Sequence, residues 1–124
     1  MKVRNGTIFD ANEPLVTLLK MAWPVKVSYG LVKLSSKLSD QWQVIEDVRR
    51  GLVQKHGSEN GNGEFGIEAG TEAYDKFKAE YDELMNQEVE LVFERVALPS
   101  EADGKPILVE PLTLMFLEEF VDIE

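Results

Sequence analysis

The apolar positions of the chain predict two long amphipathic helices. From about Val27, apolar side chains recur at steps of three, four and seven residues, which places them on one face of a helix. They are Leu31, Leu34, Leu38, Ile45, Val48 and Leu52. Gly57 is a natural helix end, and a second helix is predicted from about residue 71 to 87. Its apolar face is Tyr74, Phe77, Tyr81 and Leu84, and we expect the two faces to pair as a long antiparallel helical hairpin.

The N-terminal residues predict a different local structure. Residues 2–9 read as a β-hairpin, because Asn5-Gly6 suits the positive dihedral angles of a tight turn. Asn12 is a candidate N-cap for a short helix that ends before Pro24. The expected buried stripe of that helix is Leu15, Leu18, Leu19 and Ala22.

The C-terminal third predicts strands and one more short helix. Apolar and acidic residues alternate over residues 88–96, which is typical of a strand with one solvated face. Asp103-Gly104 indicates a turn, residues 107–109 a short strand, and Pro111 the first turn of an apolar helix that continues to about Val121. The predicted fold is therefore α+β, with a small antiparallel sheet made of the N-terminal hairpin and strand 88–96, and with short helices flanking the long hairpin.

Composition bounds the class of protein. A chain of 124 residues with 44% apolar residues can bury a core without covalent staples, so we expect one soluble domain over residues 1–124. The absence of cysteine excludes disulfides and thiolate chemistry. No apolar run has the length of a membrane span, and no secretory signal is evident.

The charge is divided unevenly along the chain. The net charge is −10, but residues 1–57 hold nine Lys or Arg against five Asp or Glu, whereas residues 58–124 hold four against eighteen. Lys26, Lys33 and Lys37 lie on one side of the first long helix and form, with Lys20, Arg49 and Arg50, a basic stripe. An acidic protein is a poor ligand for nucleic acid, so we expect this stripe to pair with the acidic half of the same chain.

The motifs that carry chemistry elsewhere lack their context here. Residues 61–66 match the letters G-x-G-x-x-G, but a predicted helix precedes them and acidic residues surround them, so a connecting loop is expected instead of a phosphate site. His56, the single histidine, falls at a predicted helix C-terminus, where it stabilises the helix. The carboxylates read as a solvated face. We therefore name no catalytic, cofactor-binding or metal-ligating residue and expect no enzyme.

Several segments together resemble a family of small bacteriophage and prophage proteins of uncharacterised role. They are KVRNGTIFD at residues 2–10, PVKVSYGLVKL at residues 24–34 and EVEL at residues 88–91. A glycine-rich loop and an acidic, leucine-rich C-terminal helix complete the order. The resemblance implies a viral origin and the cytoplasm of a bacterial host, and it implies no activity.

The function expected from these observations is that of a non-enzymatic protein-binding module. Its acidic half would bind a basic surface on a host or phage protein, for example by occluding the nucleic-acid-binding surface of a host defence or transcription complex. The candidate partner-binding residues are Glu80, Asp82, Glu83, Glu88, Glu90 and Glu94. The alternative is a virion structural or assembly protein that acts through helix–helix contacts, because the longer helix leaves apolar surface for a second copy near Leu31 or Trp42. A metal-dependent carboxylate enzyme is a third, less favoured hypothesis.

Overall fold

The computed structural model describes residues 1–59 and 65–124. Within them the helices are α1 (Asn5–Leu19), α2 (Val25–His56), α3 (Glu72–Asn86) and α4 (Pro111–Met115). The strands are β1 (Lys2–Arg4), β2 (Ser58–Glu59), β3 (Phe65–Gly66), β4 (Glu88–Glu90), β5 (Val96–Leu98), β6 (Glu101–Ala102), β7 (Lys105–Pro106) and β8 (Val121–Ile123). The predicted α+β class is confirmed.

The long helix α2 is the axis of the fold, and it begins and ends close to the predicted limits. Pro24 precedes it and Gly57 follows it, because proline is tolerated before the first turn of a helix and glycine commonly ends one. The predicted apolar face is buried at Leu31, Leu34, Leu38 and Ile45. It ends earlier than predicted, since Val48 is 43% exposed.

Two elements besides α3 cover the apolar face of α2. Helix α1 packs on α2, and Phe9 of α1 stacks on Trp42 with ring centroids 6.0 Å apart. Gly30 faces β5 so closely that a Cβ atom there would lie 3.4 Å from the Val96 side chain. Helix α3 packs on α2 as predicted. Of the two residues near which exposed apolar surface is expected, Leu31 is itself fully buried and Trp42 is half-buried, but Tyr29 and Val32 beside Leu31 are exposed.

The predicted N-terminal hairpin is also wrong, because α1 begins at Asn5 itself. Asn5 is buried, its Nδ2 donates to the carbonyl oxygen of Leu84 at 3.0 Å, and its Oδ1 accepts from Gln41 Nε2 at 3.1 Å. Its backbone N–H donates to Gln87. These partners lie far away in sequence and hold the asparagine in a role that a turn does not require. Pro14 lies inside α1, and Asn12 is an exposed residue of that helix, not its N-cap.

The strands form two-residue and three-residue pairs instead of one sheet. β1 pairs antiparallel with β4, but the predicted strand 88–96 is interrupted after Glu90 and resumes as β5. β6 and β7 pair across Asp103-Gly104, whose positive φ values of 54° and 76° confirm the predicted turn. Residues 107–109 form no strand.

The C-terminus differs most from expectation. The last helix, α4, ends at Met115, and β8 runs parallel to β5, where the sequence predicts continued helix. Arg95 holds this arrangement: its guanidinium donates to the carbonyl oxygens of Glu118, Glu119 and Val121 and to Asp122 Oδ1, all within 2.9 Å. One exposed arginine thus provides hydrogen bonds to three backbone carbonyl groups of the turn between α4 and β8.

Candidate interaction surfaces

Glu80, the first candidate acid, is engaged within the fold. Its Oε1 accepts from Lys55 Nζ at 3.0 Å, and its Oε2 accepts from His56 Nε2 at 3.1 Å. These hydrogen bonds, from His56 first and then Lys55, lower the pKa of Glu80 below its usual value, since both stabilise the charged carboxylate. The side chain joins the end of α2 to the middle of α3, which makes it a structural contact.

Glu88 and Glu90 lie on β4 with cations opposite them. The register of the β1–β4 pair sets Arg4 against Glu88 and Lys2 against Glu90. Glu90 also accepts from the amino group of Met1 at 2.7 Å. Both carboxylates are exposed, but opposite charges in cross-strand positions reduce what they offer to a partner.

Asp82, Glu83 and Glu94 differ from the other three candidates. All three are exposed, and none makes an ion pair with a residue in the ranges 1–59 and 65–124. Asp82 and Glu83 sit near the C-terminal end of α3, whose last turn holds no basic residue. Negative charge is unfavourable at that end of a helix dipole. Helix stability therefore does not explain these two acids, whereas it explains Glu72 and Asp75 in the first turn.

A buried acid that sequence reasoning missed lies on α2. Glu46 is only 7% exposed, and its carboxylate accepts from Arg49 at 2.9 and 2.5 Å, with Arg50 Nε at 3.4 Å. The hydrogen bonds from Arg49 lower the pKa of Glu46 although burial opposes them, and they raise the pKa of Arg49. The i, i+3, i+4 spacing of these residues was visible in the sequence, but the burial was not. With two cations bound, Glu46 is a structural residue.

The predicted pairing of the basic stripe with the acidic half is wrong for its lysines. Lys20, Lys26, Lys33 and Lys37 are all exposed and pair with no acid in the described ranges. Arg49 and Arg50 pair with Glu46 of the same helix. The contacts that do reach the acidic half start from Lys55 and His56, outside the stripe.

Two open grooves flank α1. One, of about 440 Å³, lies between α1 and α2 and is lined by Leu19, Val32, Asp40 and three serines of α2. The other, of about 510 Å³, lies between α1, Trp42 of α2 and α4. Its lining includes Phe9, Leu112 and Phe116 together with the carboxylates of Asp10 and Glu13. Both are shallow surfaces suited to protein contact more than to enclosing a small molecule.

The remaining chemistry of the described residues is sparse. Within residues 1–59 and 65–124, no three acidic or histidine side chains come together as metal ligands would. Gly61 and Gly63 of the G-x-G-x-x-G motif lie outside the described residues. In the same ranges, every buried side-chain nitrogen and oxygen has a hydrogen-bond partner, so the interior offers no unsatisfied polar group to a ligand.

Comparison with known proteins adds no relative. No protein-family model, no curated protein and no solved structure matches this chain. None of the helices that the structure describes combines the length and apolar character needed to cross a bilayer. The case for a function therefore rests on the surfaces described above.

Proposed function

We propose that this chain is a non-enzymatic protein-binding module whose acidic surface at the end of α3 binds a basic surface of another protein. The observation that carries the proposal is the position of Asp82 and Glu83. They are exposed, without a cation partner in the described residues, and at the helix end where their charge is unfavourable. A partner with a basic surface would compensate that cost.

The six candidate acids are not equivalent under this proposal. Glu80 is occupied by Lys55 and His56, and two others face cations across the β1–β4 pair. Asp82, Glu83 and Glu94 have no cation partner in the described residues, so their charge is available to a partner. We therefore assign binding to these three and a structural role to Glu80.

The class of partner follows from the chemistry and from the phage resemblance. A surface that binds nucleic acid is basic, and exposed carboxylates compete for it by the same electrostatic attraction. In a bacterial host, such surfaces belong to defence and transcription complexes. We propose that occlusion of one of these surfaces, in the host cytoplasm, is the activity of the protein.

Affinity capture from host lysate with three proteins tests the proposal. Asp82→Asn/Glu83→Gln/Glu94→Gln removes the three acids assigned to binding, while Glu101→Gln/Glu110→Gln/Glu118→Gln removes three exposed acids elsewhere and is the matched control. Wild type and control should retain the same partner at about 50 mM NaCl and release it at about 500 mM, because salt screens exposed charges.

The first variant should bind weakly at both salt concentrations. Equal capture by all three proteins, or capture that salt does not weaken, would refute the assignment. A partner lost only when Glu80 is changed would also refute it, because that result would show that binding depends on the α2–α3 contact.

The alternative, an assembly protein acting through helix–helix contacts, is supported by a separate observation. Val25, Tyr29 and Val32 of α2 are 86%, 66% and 56% exposed, on the side of the helix away from the core. Affinity capture separates the two: the proposed module retains a partner of another sequence and loses it in Asp82→Asn/Glu83→Gln/Glu94→Gln, whereas a protein that acts only through contacts between its own copies retains no such partner.

A further inference from the structure

The exposed side of the first half of α2 combines apolar and cationic side chains. We call it the lysine face and define it by Lys26, Lys33 and Lys37 with Val25, Tyr29 and Val32. Residues 14–39 hold these three lysines, Lys20 and no acidic residue. With 1.5 Å of helix rise per residue, the cations on α2 extend over about 16 Å.

The side chains of the lysine face are exposed, and its lysines have no ion-pair partner in the described residues. Its three apolar residues are more than half exposed. Lys33 Nζ lies 5.4 Å from the centre of the Tyr29 ring, and none of its lysines pairs with an acid in the described ranges. A nucleic acid would satisfy the lysines but would leave the valines against hydrated phosphates. The face therefore favours a partner that is both apolar and acidic.

A surface of that kind is present on the same chain. The groove between α1 and α4 is about 510 Å³ in volume and is lined by five apolar residues, two carboxylates and three uncharged polar residues. We call it the acidic groove and define it by Phe9, Asp10, Glu13, Trp42, Leu112 and Phe116. Leu112 is 63% exposed and Phe116 40%, and the residues that line the groove include no Lys, Arg or His.

We infer that the lysine face of one copy docks into the acidic groove of a second copy. The two surfaces share no residue, so one molecule presents both at once. Each supplies what the other lacks: cations meet Asp10 and Glu13, and the exposed valines and tyrosine meet Phe116 and Leu112. If a two-fold axis relates the copies, two such contacts close a dimer; without that symmetry the same contact propagates a chain.

The inference does not depend on the acidic surface at the end of α3. Neither surface contains Asp82, Glu83 or Glu94, so a failure of self-association leaves the proposed partner binding intact. The reverse also holds, because self-association is measured on the pure protein.

A charge-swap experiment tests the docking directly. One variant carries Lys26→Glu/Lys33→Glu, and the other carries Asp10→Lys/Glu13→Lys. In each variant alone, every contact between copies sets like charges against each other. In the mixture, every contact between the two different variants sets opposite charges against each other. Sedimentation velocity on each variant, on their equimolar mixture and on the wild type, at about 50 mM salt and up to about 500 µM protein, covers weak association.

The expected result is association of the wild type and of the mixture, with at least about tenfold weaker association of each variant alone, because juxtaposed like charges are strongly unfavourable. Lys78→Glu/Lys105→Glu reverses two exposed lysines outside both surfaces and should associate as the wild type does. Circular dichroism establishes that each variant folds.

Three results would overturn the inference. One is a wild type that stays monomeric over the whole concentration range. Another is variants that each associate as strongly as the mixture. The third is a monomeric protein whose lysine face instead binds single-stranded DNA or phosphatidylserine vesicles, with that binding lost in Lys26→Glu/Lys33→Glu.

Discussion

The two halves of α2 use their charges in opposite ways. In residues 41–56, Glu46 is buried against Arg49 and Arg50, and Lys55 and His56 reach across to Glu80 of α3. In residues 25–40, the three lysines project into solvent, and contact with α1 and β5 is made by apolar side chains.

This difference shows how little a charge total says about function. Both halves are rich in charge, but Glu46 of the second half and Glu80 of α3 lie within reach of its cations. The first half packs on α1 and β5, which present no carboxylate to its lysines. Charge that the fold leaves unpaired is available to a partner, and within the described residues it includes Asp82 and Glu83 of α3 and the lysines of α2.

The largest effect is predicted for substitutions in the buried apolar face, which runs along both halves of α2. Leu34→Ala in the first half and Ile45→Ala in the second each remove a side chain that is at most 2% exposed. Each should lower the free energy of unfolding by about 3 kcal/mol, through lost burial and the cavity that remains. Chemical denaturation measures this, with the exposed Val25→Ala as control. A cost confined to one half would contradict the continuous core.

Neutralising the buried acid should separate the two halves. Glu46→Gln leaves Arg49, whose side chain is 34% exposed, without its charged partner, and we expect a loss of about 1 to 2 kcal/mol in the free energy of unfolding. Asp40→Asn, an exposed acid of the first half, should cost less than about 0.5 kcal/mol. Urea denaturation of both variants makes the comparison. Equal costs would show that the Glu46 cluster is no more structural than a surface carboxylate.

Acid should weaken the second half first. The pKa values of Glu46 and Glu80 are lowered in the folded protein from the ordinary 4.5. Their stabilisation is therefore complete above that value and is lost as pH falls through the lower folded values. Melting temperatures measured between about pH 7 and pH 3 should decrease once the pH is below about 4.5, and the decrease should be less steep in Glu46→Gln. An identical acid dependence in the variant would contradict the assignment.

The smallest effect concerns exposed lysines. Lys55→Gln removes one of the two cations on Glu80 and should lower the melting temperature slightly, and added salt should reduce the difference. Lys26→Gln, in the first half, removes no ion pair in the described residues and should leave the melting temperature unchanged. A larger loss from Lys26 than from Lys55 would reverse the comparison, and calorimetry at low and high salt decides it.

Local signals predicted the helices well. Pro24 and Gly57 bound α2, Thr71 caps α3 by accepting from the backbone N–H of Tyr74 at 3.2 Å, and Pro111 begins α4. These signals act within a few residues, so the sequence alone carries them. Asn5-Gly6 was misleading for the converse reason, since Leu84, Gln41 and Gln87 decide the conformation of Asn5.

The candidate site was likewise only partly predictable from the sequence. The sequence identified six acids by their abundance, but which of them are neutralised depends on Lys55, His56 and the register of β1 against β4. Glu46 was overlooked because its burial depends on packing, and the acidic groove because its walls come from α1, α2 and α4.

The sequence by itself determined the α+β class, the long helix and its buried face, and the excess of acid in the second half, because periodicity, helix ends and composition are properties of the chain. Tertiary structure alone decided that Asn5 starts a helix, that Val121–Ile123 pairs parallel with β5, and which charges remain free. Those outcomes depend on contacts between residues far apart in the chain, and such contacts exist only once the helices have packed.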